Sequence, residues 1–369
     1  MEKTSSIFVA GHRGLVGSAI ASRLRESGYN HLVTRPHQEL DLSQQAEVNA
    51  FFEKERPDYV ILAAAKVGGI LANDTLPAEF FYINAAIQTN VIHAAWKTGV
   101  KRLLFLGSSC IYPRQCPQPM KEDYLLTGPL EPTNLPYAVA KISGIVQCEA
   151  YNRQYGTKYL AAMPTNLYGE NDNFDLTGSH VLPAMIRKFH LAKLASTGSW
   201  DDIVHDEKIN GSIPDEFRAS LVAISQEKGL AFPSDWGPSE LPDPAVPIWG
   251  TGNPMREFLH VRDLADACVH LMNLEEAVFD DFLKRREFPL VNIGCGSDIA
   301  IKDLARLIRK TVGFEGELVF DTAKPDGTPR KLLDVSLLEG IGWSAGIGLE
   351  EGIRETYAQY QARTGKTGA

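Results

Sequence analysis

Positive charge is scarce in this chain: 37 lysines and arginines face 46 aspartates and glutamates, for a formal net charge of −9. That balance argues against nucleic acid or an anionic membrane as a partner and leaves any phosphate site to a local group of cations. Cysteine is sparse too. Cys110, Cys116, Cys148, Cys268 and Cys295 form no C-x-x-C pair, so neither a disulfide framework nor a metal site is expected, and a reducing cytoplasmic setting fits. No signal-peptide core follows Met1, and the longest uncharged apolar run, 59–65, is too short to cross a bilayer. What remains is an ordinary composition, 44% hydrophobic and 22% charged over 369 residues, enough for one large or two moderate domains.

The chain opens as strand, glycine turn and helix. Residues 7–10 read as a short buried strand, and Gly11-His12-Arg13-Gly14-Leu15-Val16-Gly17 leads into an apolar-periodic helix ending near Gly28. Glycines there let a pyrophosphate approach the free amides at a helix N-terminus. The spacing is G-x-x-G-x-x-G rather than the usual G-x-G-x-x-G, and a purely structural turn is the other reading. After the second strand, 32–34, an acidic residue would bind the ribose of NAD. Here Arg35 and His37 follow, and with Arg13 they favour the 2′-phosphate of NADP, unless they are solvated loop charges. Asp41 and Leu42 are candidates for the adenine edge.

Alternation continues with a helix from Ser43, a strand at 59–63, small residues around Ala64, a long helix after Asp74 and a strand at 103–106. Such repetition predicts a doubly wound parallel sheet covered on both faces. Its carboxyl rim, where open sheets bind ligands, would carry Leu106, Gly107, Ser108, Ser109 and Cys110. A proline-rich loop, 113–136, separates this rim from a helix running from Tyr137 to about Tyr155. Tyr137 and Lys141 stand four apart, so a helix puts phenol and ammonium on one face. The ammonium is expected to lower a phenol pKa that starts near ~10, making the tyrosine an acid or base. A further strand, 159–163, ends in Pro164-Thr165-Asn166-Leu167, and a later helix opens at His180 and carries Lys188. A histidine at a helix start serves structure as readily as catalysis.

From 195 to 247 the chain turns acidic and proline-spotted, and it reads as an irregular insertion with one amphipathic helix, 214–228. Beyond it, Trp249 could stack on a base and Arg256 could pair with a phosphate, although each also serves plain packing or a salt bridge. The loop 324–334 gathers Lys324, Asp326, Arg330 and Lys331, consistent with anion recognition or with solvation. The domains expected are a dinucleotide-binding one, 1–170 with returns near 258–295, and a smaller α/β substrate domain from 171–257 and 296–369.

Taken together, the glycine motif, the serine beyond strand four and Y-x-x-x-K resemble the extended short-chain dehydrogenase/reductase family, whose members act on nucleotide sugars. The strings GHRGLVG, AAAKVGG, LGSSCIYP, EPTNLPYAVAK, NLYG, PMREFLHV and KPDGTPRKLLDV extend the likeness over nearly the whole chain. The resemblance implies a Rossmann-like domain binding NADP(H) through the glycine loop, Arg35, Asp41, Leu42, Ala64, the rim from Leu106 to Ser109, Tyr137, Lys141, the rim from Pro164 to Leu167 and His180. It implies a reductive triad of Ser108, Tyr137 and Lys141, with Cys110 and His180 moving epimerisation protons. Lys188, Trp249, Arg256, Asp326 and Lys331 would contact a GDP-sugar, and the chain would form a homodimer. A sugar 4,6-dehydratase of the same fold would carry Thr-Asp-Glu where Ser109-Cys110-Ile111 stand. A non-catalytic cofactor sensor would have no need of the whole set.

Overall fold

The computed structural model describes residues 1–237, 240–284, 286–324 and 326–365. In chain order it runs β1 (Ile7–Ala10), α1 (Leu15–Glu26), β2 (Leu32–Val33), α2 (Gln45–Glu55), β3 (Tyr59–Leu62), α3 (Ile70–Thr75), α4 (Pro77–Lys97), β4 (Arg102–Leu106), α5 (Leu135–Tyr155) and β5 (Tyr159–Pro164). Next come β6 (Asn166–Tyr168), α6 (Val181–Ser196), α7 (Trp200–Asn210), α8 (Asp215–Glu227), β7 (Ala245–Trp249), β8 (Met255–His260), α9 (Val261–Asn273) and α10 (Glu276–Lys284). The remainder is β9 (Leu290–Ile293), β10 (Asp298–Ala300), α11 (Ile301–Val312), β11 (Glu317–Asp321), β12 (Arg330–Lys331), α12 (Ser336–Glu339) and α13 (Leu349–Thr364).

Two compact units emerge: Met1–Leu167, Glu257–Ser297 and Lys331–Ile347 in the first, Tyr168–Arg256, Asp298–Arg330 and Gly348–Ala369 in the second. The first contains a parallel sheet in the order β2-β1-β3-β4-β5-β9. Its strands are apolar but for Arg102 in β4 and Asn292 in β9, and alternate residues supply different cores. Phe8, Val60, Leu103, Phe105 and Ala161 join α2, α4 and α5 on one face. Ile7, Val9, Ile61, Leu104 and Leu160 join α1, α9 and α10 on the other. Strand order reverses beside β1, so the glycine loop leaves the sheet where such folds bind ligands. The second unit has a parallel pair, β7 with β11, in register from Ala245↔Glu317 to Trp249↔Asp321.

Three expectations need correction. Lys331–Ile347 belongs to the first unit and not to the second, because Leu333 fills one of its cores and Leu338 and Trp343 the other. The stretch 195–247 is largely helical, with α7 as well as α8. The proline-rich loop also holds short 3₁₀ turns at Glu122–Tyr124 and Pro132–Asn134. Among the described residues no helix is long and apolar enough to cross a membrane.

Candidate functional site

The three glycines of the first turn do different work. Gly11 has φ +83°, and a Cβ there would lie 2.8 Å from the backbone nitrogen of Ala64. One on Gly17 would lie 2.2 Å from the Gly11 carbonyl oxygen. Both glycines are demanded by the protein's own packing. Gly14, the N-cap of α1, has nothing closer than 3.6 Å to an added Cβ, so the space before the helix is open. The first turn, starting at Leu15 and Val16, has neither an acidic residue nor a side-chain cap, leaving its amides for an anion. His12 has a buried Nδ1 without a partner, beside exposed Arg13. A dinucleotide pyrophosphate fits this cradle.

Three of the residues expected around the adenosine end of the cofactor are already engaged in the protein's own bonds. Arg35 pairs with Glu55 at 2.8 Å and donates to its neighbour's carbonyl, Thr34 O, also at 2.8 Å. Asp41 accepts from the Ser43 amide and hydroxyl, at 2.9 and 2.7 Å. Leu42 is buried, and its carbonyl accepts from Asn90 at 3.0 Å. Following Ala64, the Lys66 backbone is clasped by Asn84 through its amide at 3.1 Å and its carbonyl at 2.9 Å.

At the carboxyl end of β4, Gly107 packs so closely that a Cβ would sit 2.2 Å from Met163 Cε. Ser108 then adopts extended backbone and caps the 3₁₀ turn Ser109–Ile111, its Oγ accepting from the Cys110 amide at 3.4 Å. The turn folds the Cys110 side chain inward, leaving it 8% exposed. Helix α5 starts at Leu135, just ahead of Tyr137, with Pro136 in its first turn, where a missing N–H costs nothing. Lys141 is buried, and its ammonium donates to the Leu106 carbonyl at 2.8 Å while standing 5.8 Å from the Tyr137 ring centroid.

The electrostatics of this cluster differ from the sequence expectation. Burial pushes the Tyr137 phenol well above its ordinary value, with a further push from Cys110, and a hydrogen bond to Ser108 only partly offsets them. Burial also lowers Lys141 to about 8. Desolvation therefore dominates, and the phenol is held above its ordinary value rather than below it. Burial raises the Cys110 thiol as well, while Ser108, Lys331 and Lys141 pull it back. Lys331, expected among the sugar contacts, thus lies within electrostatic reach of Cys110 in the first unit. On the neighbouring rim the Thr165 amide donates to the Ile293 carbonyl at 3.0 Å, and Asn166 Nδ2 donates to the Glu257 carbonyl at 2.8 Å. Pro164 closes β5 just before it, and Leu167 packs against the core.

The second unit holds the remaining candidates. His180 is the N-cap of α6, and desolvation lowers its pKa, leaving a neutral imidazole at pH 7. Two turns on, Lys188 donates to the Pro247 carbonyl at 2.9 Å and is brought down to about 8 by burial. Trp249, 58% exposed, ends β7 with Lys324 Nζ 5.4 Å from its ring centroid. Asp326 braces the following turn, accepting from the Thr251 amide at 2.9 Å and hydroxyl at 2.6 Å. Its charge opposes the burial that lowers Arg256. An exposed indole with the Lys324 ammonium beside it suits a base and a phosphate. Pro325, within the same loop, lies outside the described residues.

Sequence reading missed Glu257. It is fully buried, and its carboxylate accepts from the amides of Cys295 at 2.7 Å, Gly296 at 2.8 Å and Leu333 at 3.0 Å. The signal was an acidic residue set among apolar ones in PMREFLHV.

Residues 7–205 and 237–282 match the model of the NAD dependent epimerase/dehydratase family. The chain is 49% identical to GDP-L-fucose synthase 1 of Arabidopsis thaliana, covering 97% of this chain and 94% of that one. It is 47% identical to GDP-L-fucose synthase of Escherichia coli strain K12, covering 95% of each. Among solved structures it is similar to a GDP-D-glycero-L-gluco-heptose synthase from Campylobacter jejuni, solved in the presence of NADPH, with a TM-score of 0.85, 40% identity and coverage of 98% and 99%.

Proposed function

The chain belongs to the NAD dependent epimerase/dehydratase family and, within it, to the GDP-L-fucose synthases, and on that footing we propose that it converts GDP-4-keto-6-deoxy-D-mannose to GDP-L-fucose with NADPH. The observation that carries the reading is the set of buried Cys110 and Lys141 and half-buried Ser108 and Tyr137, brought together where β4 ends and α5 begins, in a chain nearly half identical to those synthases.

A ketone at C4 of the sugar acidifies the hydrogens at C3 and C5. Inversion at such a carbon needs one group to accept a proton and another to return one from the opposite face. Neutral His180 can accept and the protonated Cys110 thiol can give, and the imidazolium and thiolate left by one inversion exchange a proton through solvent before the next. Ser108 holds the C4 oxygen. Tyr137 then delivers its proton to that oxygen, and a phenol held above its usual pKa retains the proton until it is needed. Lys141 fixes the rim through the Leu106 carbonyl. Gly11, His12, Gly14 and the α1 amides would hold the cofactor, whose chemistry when bound would be the supply of a hydride to C4. Arg13 and Arg35 support NADPH over NADH, and Lys188, Trp249, Arg256 and Asp326 are the residues for the GDP moiety.

The reading includes a cytoplasmic homodimer formed through α4 and α5, supported by the exposed apolar side chains Phe81, Tyr82, Val139 and Val146. Light scattering tests the dimer. The activity is tested by following NADPH oxidation with GDP-4-keto-6-deoxy-D-mannose and identifying the product by NMR. Turnover to GDP-L-fucose is the expected result. No turnover by folded protein that binds NADPH overturns the assignment. The heptose-synthase relative favours a GDP-linked keto-heptose as the second substrate to try.

A further inference from the structure

Asn292 is an amide in the middle of an otherwise apolar strand, Leu290-Val-Asn-Ile293, and it is 0% exposed. Burying a carboxamide is costly unless its donors and acceptor are all used. Here they are. Nδ2 donates to the Met120 carbonyl at 2.9 Å and the Asp334 carbonyl at 3.2 Å. Oδ1 accepts from the Tyr112 hydroxyl at 2.5 Å, and the Asn292 amide donates to the buried carboxylate of Glu122 at 3.0 Å.

These bonds join three pieces of chain that carry the chemistry. Tyr112 closes the turn that bears Cys110. Met120 lies in the proline-rich loop that follows. Asp334 ends the segment of Lys331, and that segment is bonded back to the loop, Met120 N to Leu332 O at 2.7 Å and Asp334 N to Met120 O at 2.8 Å. Leu332 N also donates to Gln118 Oε1 at 2.9 Å. A sheet strand supplies the fixed point, since β9 pairs with β5 along Leu290–Ile293.

We propose that Asn292 is a positioning residue for Cys110: through the Tyr112 hydroxyl and the Met120 and Asp334 carbonyls it locks the Cys110 turn and the Lys331 segment to the sheet, so that the thiol meets the sugar in one fixed place. The assignment rests on the role given to Cys110 above. Its effect belongs to the proton transfers at C3 and C5, not to cofactor binding, because none of the three bonds reaches the glycine loop.

The test uses full-length Asn292→Ala, Tyr112→Phe and the double variant. Tyr112→Phe removes a single hydroxyl and keeps the ring that fills the core, so it remains informative if Asn292→Ala fails to fold. Two readouts are compared, the rate of iodoacetamide alkylation of Cys110, followed on its own peptide by mass spectrometry, and solvent-deuterium incorporation into the keto-sugar without NADPH. Freed of its anchor, Cys110 is expected to alkylate at least threefold faster. The kcat for exchange should fall at least tenfold, with KM and NADPH affinity within twofold of the parent, and the double variant should be no worse than the worse single one. Parent-like alkylation and exchange in folded Tyr112→Phe, or fully additive losses in the double variant, overturn the proposal. If the parent itself exchanges no deuterium, the assigned activity fails, and the alkylation rates alone still decide the role of Asn292.

Discussion

The Arg35 guanidinium stands 2.8 Å from the Glu55 carboxylate. The cation best placed by sequence to read a 2′-phosphate therefore has an internal competitor, on the helix that follows its strand. Glu55→Gln is expected to release Arg35 and lower the KM for NADPH, leaving that for NADH unchanged. Arg35→Ala should erode the NADPH preference by about tenfold, the scale of one charge-assisted contact. Steady-state kinetics with both cofactors check it, and an unchanged ratio in Arg35→Ala would remove this residue from cofactor choice.

Tyr137→Phe separates the two halves of the reaction. Loss of the phenolic proton should cut reduction by roughly 10²- to 10⁴-fold, the usual span for a general acid. Deuterium incorporation catalysed through Cys110 should continue. A variant that loses both together would place Tyr137 in the epimerisation as well.

Lys141 and Lys188 are both held near 8 by burial, below the ordinary lysine value. Between about pH 8 and the unfolded lysine value near ~10.4 the unfolded chain binds more protons, so stability rises with pH across that window. Lys141→Met should remove part of this slope. At neutral pH it escapes a penalty of up to ~3 kcal/mol, offset by the lost bond to the Leu106 carbonyl. Urea unfolding at a series of pH values measures it, and an unchanged slope would refute the assignment.

Arg187 and Asp206 form a fully buried ion pair at 2.8 Å, 0% and 1% exposed. Arg187 also donates to the carbonyls of Asn210 at 2.9 Å and Gly211 at 2.5 Å, and Tyr360 from the C-terminal helix donates to Asp206. Asp206→Ala leaves the guanidinium uncompensated and should destabilise the protein by about 3–5 kcal/mol. Replacing both by apolar residues should cost much less. Chemical denaturation of the single and double variants distinguishes the two outcomes.

Removing the exposed indole should affect substrate binding alone. Trp249→Ala is expected to raise the KM for the GDP-sugar by about tenfold with kcat unchanged, the signature of uniform binding. A fall in kcat instead would tie Trp249 to the reacting centre.

Helix α7 shows why part of the second unit escaped the sequence. Its buried positions are Trp200, Ile203, Asp206 and Asn210, spaced as a helical stripe but half polar, because the face covers Arg187. No apolar periodicity announces such a helix. The same holds for α13, unforeseen from sequence, whose buried face mixes Ile353 and Tyr357 with Gly352, Thr356 and Thr364.

The parallel sheet, by contrast, was legible from runs such as Ile7–Ala10 and Leu103–Leu106, since a strand buried on both faces must be apolar throughout. So were the glycine turn and the Tyr137–Lys141 pair, because local spacing fixes which side chains share a helix face. What the sequence determined was therefore whatever depends on neighbours in the chain. Tertiary structure alone decided that burial raises the Tyr137 phenol, that Lys331 comes within reach of Cys110, and that Asn292 and Glu257 hold distant segments together. Desolvation and long-range hydrogen bonds depend on what packs against a group, and that is settled only when the chain has folded.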